Sequence, residues 1–533
     1  MIDILIVGAG GGGPVAAYEL ARAGLSVTLL EAGRWNDPDR DYTRLEDDMG
    51  SLLDGRLRWG PGDRAKSPWT RRRDGVGLIL QCAGVGGTTL HYNGISPRAY
   101  PAAFENGEWP FDYDELLPFY EQVEEFLPVA LVSDLATKDA IFAEGCEGAG
   151  LKRSETKEVT EDMWRPCHNA ILPIAQSMTA DSLRWPEVDG CTMCGHCLQG
   201  CPNPQGAPLE RKAKRATNVS YVPAAVETGR CEVMPNAFAT AILQEEIGGR
   251  FRARGVRYRD TDSGEVREIE ARVTVLAAGA IESPRLWLNS GLPQSGAVGR
   301  YLTTHYQDFV TGIFPNETHP DVGQVTMARA DFPGQGTIFT QGFGPQSYAA
   351  VLLAGGKGFW DEPTGDEPWD VQGKMYGAAA NRLMTEYSHS LTITICTDDE
   401  ADASNGVALA DDWPADEHGA IPKVTYHPTT TTVERESFLA RRAAEILRAA
   451  GAREVHRSNM AAAFLTHIMS TLRIGTDPST SACDAGGEAH TVERLFVADS
   501  AALANGLGGP NPTLTVQALA ARTAGEISRR YFG

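Results

Sequence analysis

The chain opens on an apolar run, Ile2 to Val7, that is too short for a helix and stops in the glycine cluster Gly8-Ala9-Gly10-Gly11-Gly12-Gly13. A short apolar run broken by glycine predicts a buried strand ended by a tight turn. Pro14 to Ala23 then carries apolar residues at helical spacing, Gly24 turns the chain, and Val27 to Leu30 is a second apolar run closing on Glu31. Strand, glycine turn, helix, strand and acid in this order predict a βαβ unit.

The same two signatures return later. Val256 to Tyr258 and Val266 to Ala271 flank Asp262-Ser263-Gly264 and predict a hairpin, Val273 to Ala277 predicts a buried strand, and Pro284 to Ser290 a helix. From residue 301 to about 460 short apolar stretches alternate with glycine, proline and acidic loops. Leu391 to Thr397 reads as a strand, and Ala408-Leu409 and Lys423 to Tyr426 as partners across acidic turns. This pattern predicts a sheet roofing the site. Glu434 to Ala450 repeats at helical spacing, and Leu495 to Asp499 is the last apolar strand. The aromatic and proline-rich run Trp109 to Tyr120, leading into a helix through Glu125, predicts a packed crossover between domains.

Length and charge narrow the class. A chain of 533 residues with 42% apolar positions buries a large core and divides into two domains. No uninterrupted apolar run approaches the roughly 20 residues of a membrane span. The first strand begins at once, with no basic segment or apolar leader before it, so the expected location is the cytoplasm. A net charge of -22 argues against nucleic acid as partner. Between Tyr301 and Tyr426 there are 18 Asp and Glu against 5 Lys and Arg; a solvated acidic surface is the ordinary reading, a cationic substrate the specific one. Four of the ten cysteines lie between Cys191 and Cys201, which points to a metal site more than to a disulfide framework.

Candidate chemistry sits in four places. Gly8, Gly10 and Gly13 spell G-x-G-x-x-G; glycines let the backbone approach a pyrophosphate at a helix N-terminus, and Glu31 is placed to accept ribose hydroxyls. The motif does not choose between FAD and NAD. Gly84 to Gly94, with Gly86, Gly87, Thr88, His91 and Asn93, suits a backbone lying against a flat ligand. Cys191, Cys194, Cys197 and Cys201 spell C-x2-C-x2-C-x3-C-P, the spacing of bacterial ferredoxins; a structural zinc or a packing role are the alternatives. His467 and Asn511 offer an imidazole to take a proton and an amide to hold an oxygen.

The segments H-I-M-S-T-L-R-I-G-T-D from His467, V-A-D-S around Asp499 and G-G-P-N-P-T-L-T-V-Q-A-L-A-A-R around Asn511 resemble the C-terminal signature of the glucose-methanol-choline (GMC) oxidoreductases. V-G-G-T-T-L-H-Y and A-G-A-I-E-S-P are similar to further flavin-side motifs of that family, and its sugar-oxidising branch is the nearest in pattern. The resemblance implies an FAD enzyme with His467 as base, Asn511 as hydrogen-bond partner, and Ala278, Asp499, Pro512 and Thr513 at the cofactor. In the pyranose oxidases the histidine matching His91 is bonded covalently to the flavin; related dehydrogenases have the same histidine without the bond. FAD-dependent glucose and fructose dehydrogenases carry a three-iron cluster in a loop ending C-x3-C-P at this place, with their first two cysteines spaced differently. Ser470 and Leu472 depart from the Gly and Cys frequent in the family.

The implied fold is α/β, with a Rossmann-like FAD-binding domain (residues 1–104, 205–300 and 461–533) interleaved with an α+β substrate-binding domain built on an antiparallel sheet (105–204 and 301–460, including the Cys loop 191–202). The implied reaction oxidises an alcohol on a sugar, glycoside or aminosugar, with hydride passing to flavin N5. Electrons leave through a three- or four-iron cluster to an external acceptor or, without a cluster, to oxygen. The second class is a flavin- or metal-binding redox sensor without turnover, against which the joint presence of His467 and Asn511 stands.

Overall fold

The computed structural model describes residues 2–42, 71–173, 190–353, 377–458 and 463–533. Strand Ile2–Val7 runs parallel to Val27–Leu30 on one side and to Val266–Leu276 on the other. The faces of such a central parallel strand are covered as well, which is why Ile4 to Val7 are apolar and buried, while Asp3 sits at its part-exposed start. The sheet order is Ala237–Ile247, Arg250–Asp260, Val266–Leu276, Ile2–Val7, Val27–Leu30, Cys231–Met234, and Leu495–Val497 pairs in parallel with the end of Val266–Leu276.

The hairpin expected around Asp262-Ser263-Gly264 is present. Its second arm differs from expectation, because Val266–Leu276 is one strand and not two. The first half belongs to an exposed antiparallel ribbon and the second enters the buried parallel sheet. Its residue pattern therefore changes within one element, and a periodicity reading divides it. The helix expected from Pro284 starts earlier, at Gly279. Pro284 has no N–H for the carbonyl of Ala280, and that carbonyl takes the hydroxyl of Thr471 instead, at 2.7 Å.

The second sheet has the order Glu454–Arg457, Asp308–Ile313, Ser390–Thr397, Gly336–Gln341, Ala328–Phe332, Met163–Pro166, Lys152–Arg153, antiparallel except for the last pair. Because side chains alternate along a strand, each strand serves two cores. Val310, Ile338 and Ile393 pack with Leu439, Ala443 and Leu447 of helix Thr430–Ala449. Their neighbours Phe309, Thr394 and Phe339 stand in one register row on the other face, toward a large cavity. The pair Gly406–Leu409 and Pro422–Thr425 forms as expected, with Ala408 opposite Lys423.

The aromatic crossover is packed. Phe104 stacks on Trp109 with centroids 4.5 Å apart, and the Trp109 indole N–H donates to Asn505 Oδ1 at 3.2 Å. Among the described residues no helix is long and apolar enough to cross a membrane.

Candidate active site

A cavity of about 640 Å³ runs between the two sheets. Glu31 and strand Ala237–Ile247 contribute to its lining, where the ring of His418 stacks on Phe238 with centroids 3.8 Å apart. His467 and Asn511 line it as well.

The glycine turn at the floor divides its labour. A Cβ on Gly13 would stand 2.0 Å from the Gly8 carbonyl oxygen, and one on Gly8, which has φ +108°, 2.3 Å from that of Ala277. These two glycines let helix Gly13–Arg22 seat against the sheet. A Cβ on Gly10 would meet only Gly87 Cα, at 4.0 Å. Its side is open toward the cavity, the condition for a ligand to lie on the backbone, and the helix N-terminus beyond it favours negative charge. The residues present therefore fit a dinucleotide.

Of the cofactor residues expected from sequence, Gly8, Gly10, Glu31, Gly87, Thr88, His91, Asn93, Ala278, Asp499, Pro512 and Thr513 line this one cavity. Gly13 and Gly86 do not; Gly86 has φ +112° and its Cβ would strike Leu90. Glu31 accepts from the amides of Ala9 (2.9 Å), Gly33 (2.8 Å) and Gly84 (3.0 Å). It ties three loops together at the cavity wall, and burial raises its pKa against those donors. Asp499 is similarly engaged, accepting from the Ser283 hydroxyl (2.6 Å) and the amides of Gly279 (2.8 Å) and Ala501 (2.7 Å). Asn93 reaches across to the second sheet, donating to Gln341 Oε1 at 3.0 Å.

His467 and Asn511 are brought together, with Asn511 Nδ2 3.3 Å from His467 Nε2. Asn511 Oδ1 is buried without a hydrogen-bond partner. Three groups not assigned a role from sequence surround the other nitrogen of His467. His305 Nδ1 lies 3.0 Å from His467 Nδ1, Gln307 Nε2 3.4 Å and Cys396 Sγ 4.0 Å. His305 and Gln307 come from one segment and Cys396 from another, both far from His467 in sequence, so no local pattern announces them. Burial, then the neighbouring His305, holds the pKa of His467 well below 6.5, and burial lowers that of His305 to about 4. Both imidazoles are neutral at pH 7.

From the segments around this pair the described lining includes Phe309, Phe339, Phe343 and Phe464, the amides of Gln307 and Gln341, and the hydroxyls of Thr394 and Thr466. No carboxylate of residues 301–426 lines the cavity among the described residues. Several are spent inside the fold. Asp308 pairs with Arg457 at 2.6 Å, Asp331 with Arg165 at 3.0 Å, and Asp416 with Arg285 at 2.7 Å, while Asp399 accepts from Tyr426 at 3.0 Å. Asp361, Glu362, Asp366, Glu367 and Asp370 lie outside the described residues.

Cys191, Cys194, Cys197 and Cys201 surround one small hollow beside Lys214 and Asn203. The Met193 amide donates to Cys191 Sγ and Asn203 Nδ2 to Cys194 Sγ, both at 3.4 Å. Burial, opposed by Lys214, pushes the Cys197 thiol up to about 11. Burial lowers Lys214 to about 8 against the neighbouring Cys197 and Cys201. The loop is joined to the wall of the large cavity. Lys214 Nζ donates to the carbonyls of Cys197 (2.5 Å), Leu90 (2.8 Å) and Tyr92 (3.1 Å), and His91 Nδ1 is 2.8 Å from the Leu198 carbonyl. Among the described residues, the set that brings three possible ligand atoms within 4.8 Å of one another is His305, Cys396 and His467, not the loop thiols.

Comparisons with known proteins agree with this architecture. Two family models described as GMC oxidoreductase match residues 175–307 and 401–520, and one described as FAD binding domain matches residues 3–35. The 2-methyl-1,2-propanediol dehydrogenase of Mycolicibacterium austroafricanum is 27% identical over 99% of this chain and 95% of its own length. The 6'''-hydroxyparomomycin C oxidase of Streptomyces lividus is 26% identical over 99% and 91%. Among solved structures, pyridoxine 4-oxidase from Mesorbium loti aligns over 100% of this chain and 99% of its own with a TM-score of 0.64 at 18% identity, a likeness of fold.

Proposed function

We propose, from the premise that this chain belongs to the GMC oxidoreductases and is an FAD-dependent enzyme acting on CH–OH groups, that it oxidises a neutral alcohol with an apolar face. The observation that carries this reading is the His467–Asn511 pair, 3.3 Å apart, lining a cavity whose glycine turn fits a dinucleotide. Bound FAD supplies the hydride acceptor. His467, neutral and half-buried, takes the hydroxyl proton, and Asn511 donates to the oxygen as charge develops on it. The phenylalanines hold the carbon skeleton and exclude water. Both a short diol and the C–H face of a sugar ring suit such walls. An aminosugar is the second candidate, favoured by the aminoglycoside oxidase among the relatives, but it needs a counter-charge that the described lining from residues 301–426 does not provide.

Anaerobic titration of the oxidised enzyme with short diols, neutral sugars and aminosugars tests this directly. Bleaching of the flavin band by neutral alcohols is expected; bleaching by aminosugars alone would overturn the substrate class, and bleaching by none of them the alcohol reading. The His467 imidazole sets the acid limb of the pH profile. Since its pKa is depressed, His467 stays unprotonated as pH falls from about 8 to 6.5, and kcat/KM is expected to stay level there and decline only at lower pH. A decline centred at 6.5 or above would contradict the burial argument.

The Cys loop is read as an iron-sulfur site of three or four irons, held by Cys191, Cys194, Cys197 and Cys201. Lys214 and the donors to sulfur suit clustered thiolates. A bound cluster supplies one-electron chemistry, and with it an external acceptor is favoured over oxygen. Iron and sulfide analysis of anaerobically purified enzyme should find about three to four irons per chain, lost in Cys197→Ser with FAD retained. Zinc, or flavin absorbance alone with no iron, would sink the cluster and leave oxygen as the acceptor.

A further inference from the structure

We propose that His305 is a positioning residue for alcohol oxidation: it fixes the tautomer of His467 so that the unprotonated Nε2 faces the cavity. The inference rests on the reading of His467 as base, but its argument is one of proton accounting. The Gly506 carbonyl can only accept, so the 2.8 Å contact from His305 Nε2 places that ring's proton on Nε2. A neutral imidazole has one proton, and His305 Nδ1 is therefore an acceptor. It stands 3.0 Å from His467 Nδ1, which must then be the donor. His467 keeps a bare Nε2, and the Asn511 Nδ2 facing it at 3.3 Å is a donor, consistent with that lone pair.

The other groups near His467 leave the chain intact. Gln307 turns its oxygen to the Thr466 hydroxyl at 2.8 Å and its nitrogen to Cys396 Sγ at 3.2 Å. Its approach to His467 Nδ1 is the longer one, at 3.4 Å. The result is a directed series from the Asn511 amide through two imidazoles to a backbone carbonyl. In the opposite tautomer, His467 would meet the substrate hydroxyl with an N–H and could not accept its proton. His305 itself is 0% exposed, so its ring is held by its surroundings.

The test has two arms on the FAD-loaded enzyme. Nitrogen-15 histidine spectra of the oxidised resting enzyme near neutral pH, with His467 assigned by its loss in His467→Gln, should show a protonated Nδ1 and a bare Nε2. The reverse would overturn the proposal without reference to activity. In kinetics, His305→Phe removes the acceptor, whereas His305→Gln restores a carbonyl oxygen at that place. The Phe variant should lose about 100-fold in kcat with KM changed less than about threefold, and the Gln variant should recover to within about tenfold of wild type. Equal losses in both variants, or a loss confined to KM, would show a packing role only. If either variant fails to fold, the wild-type spectrum still decides. Should His467→Ala keep full activity while the tautomer is as stated, the base assignment fails and the proton accounting stands.

Discussion

His467→Ala is expected to lower kcat/KM for the best alcohol by about 10³-fold, with FAD content and melting temperature close to wild type. The size follows from what is removed. An alcohol proton is weakly acidic, and in this cavity the imidazole Nε2 with the Asn511 amide is the paired group described in the lining. The loss should fall mainly on kcat, since the phenylalanines that hold the substrate are untouched. Asn511→Ala should cost less, about 10²-fold, because it removes one hydrogen bond to the developing charge and leaves the base. Steady-state kinetics with flavin content measured in parallel checks both. Full activity in His467→Ala would remove the base assignment, and a loss explained entirely by missing FAD would move the residue's role to the cofactor.

The second large effect is expected at Gly10. Gly10→Ala places a methyl where the nearest protein atom is Gly87 Cα at 4.0 Å, so the fold has room for it. A ligand lying on that backbone does not. The apoprotein should melt within about 2 °C of wild type while FAD binds at least about 100-fold more weakly. Gly13→Ala should behave in the opposite way. Its methyl would meet the Gly8 carbonyl at 2.0 Å, forcing helix and strand apart at a cost of about 1–3 kcal/mol. Calorimetry of the apoproteins and FAD titration by fluorescence separate the two. If Gly10→Ala loses stability instead of affinity, the open side of the turn is a packing feature and not a cofactor bed.

What could be read from sequence was whatever lies within one continuous stretch. The βαβ unit is local: two apolar runs, a glycine turn and an acid within thirty-one residues, and the structure repeats those boundaries almost residue for residue. His467 and Asn511 were legible because each sits in a motif. His305 lies beside a legible segment, yet its task depends on the Gly506 carbonyl, 201 positions away, and spacing carries no record of that. Charge is hard to read for a related reason. The acidic count in residues 301–426 describes composition, whereas Asp308, Asp331 and Asp416 are neutralised by arginines from other segments. Val266–Leu276 shows the remaining limit, since one strand can change environment along its length.

The parallel pairing of Leu495–Val497 with Val266–Leu276 bears on how the protein is made. On a ribosome the first βαβ unit emerges early, but a neighbour of its sheet arrives more than two hundred residues after Leu276, and helix Thr513–Tyr531, whose residues share a core with the first helix, later still. Until then the nascent sheet carries an unpaired apolar edge, the kind of surface on which chains associate wrongly. Yield of soluble enzyme should therefore depend on synthesis rate and chaperone supply more than on the stability of the finished fold.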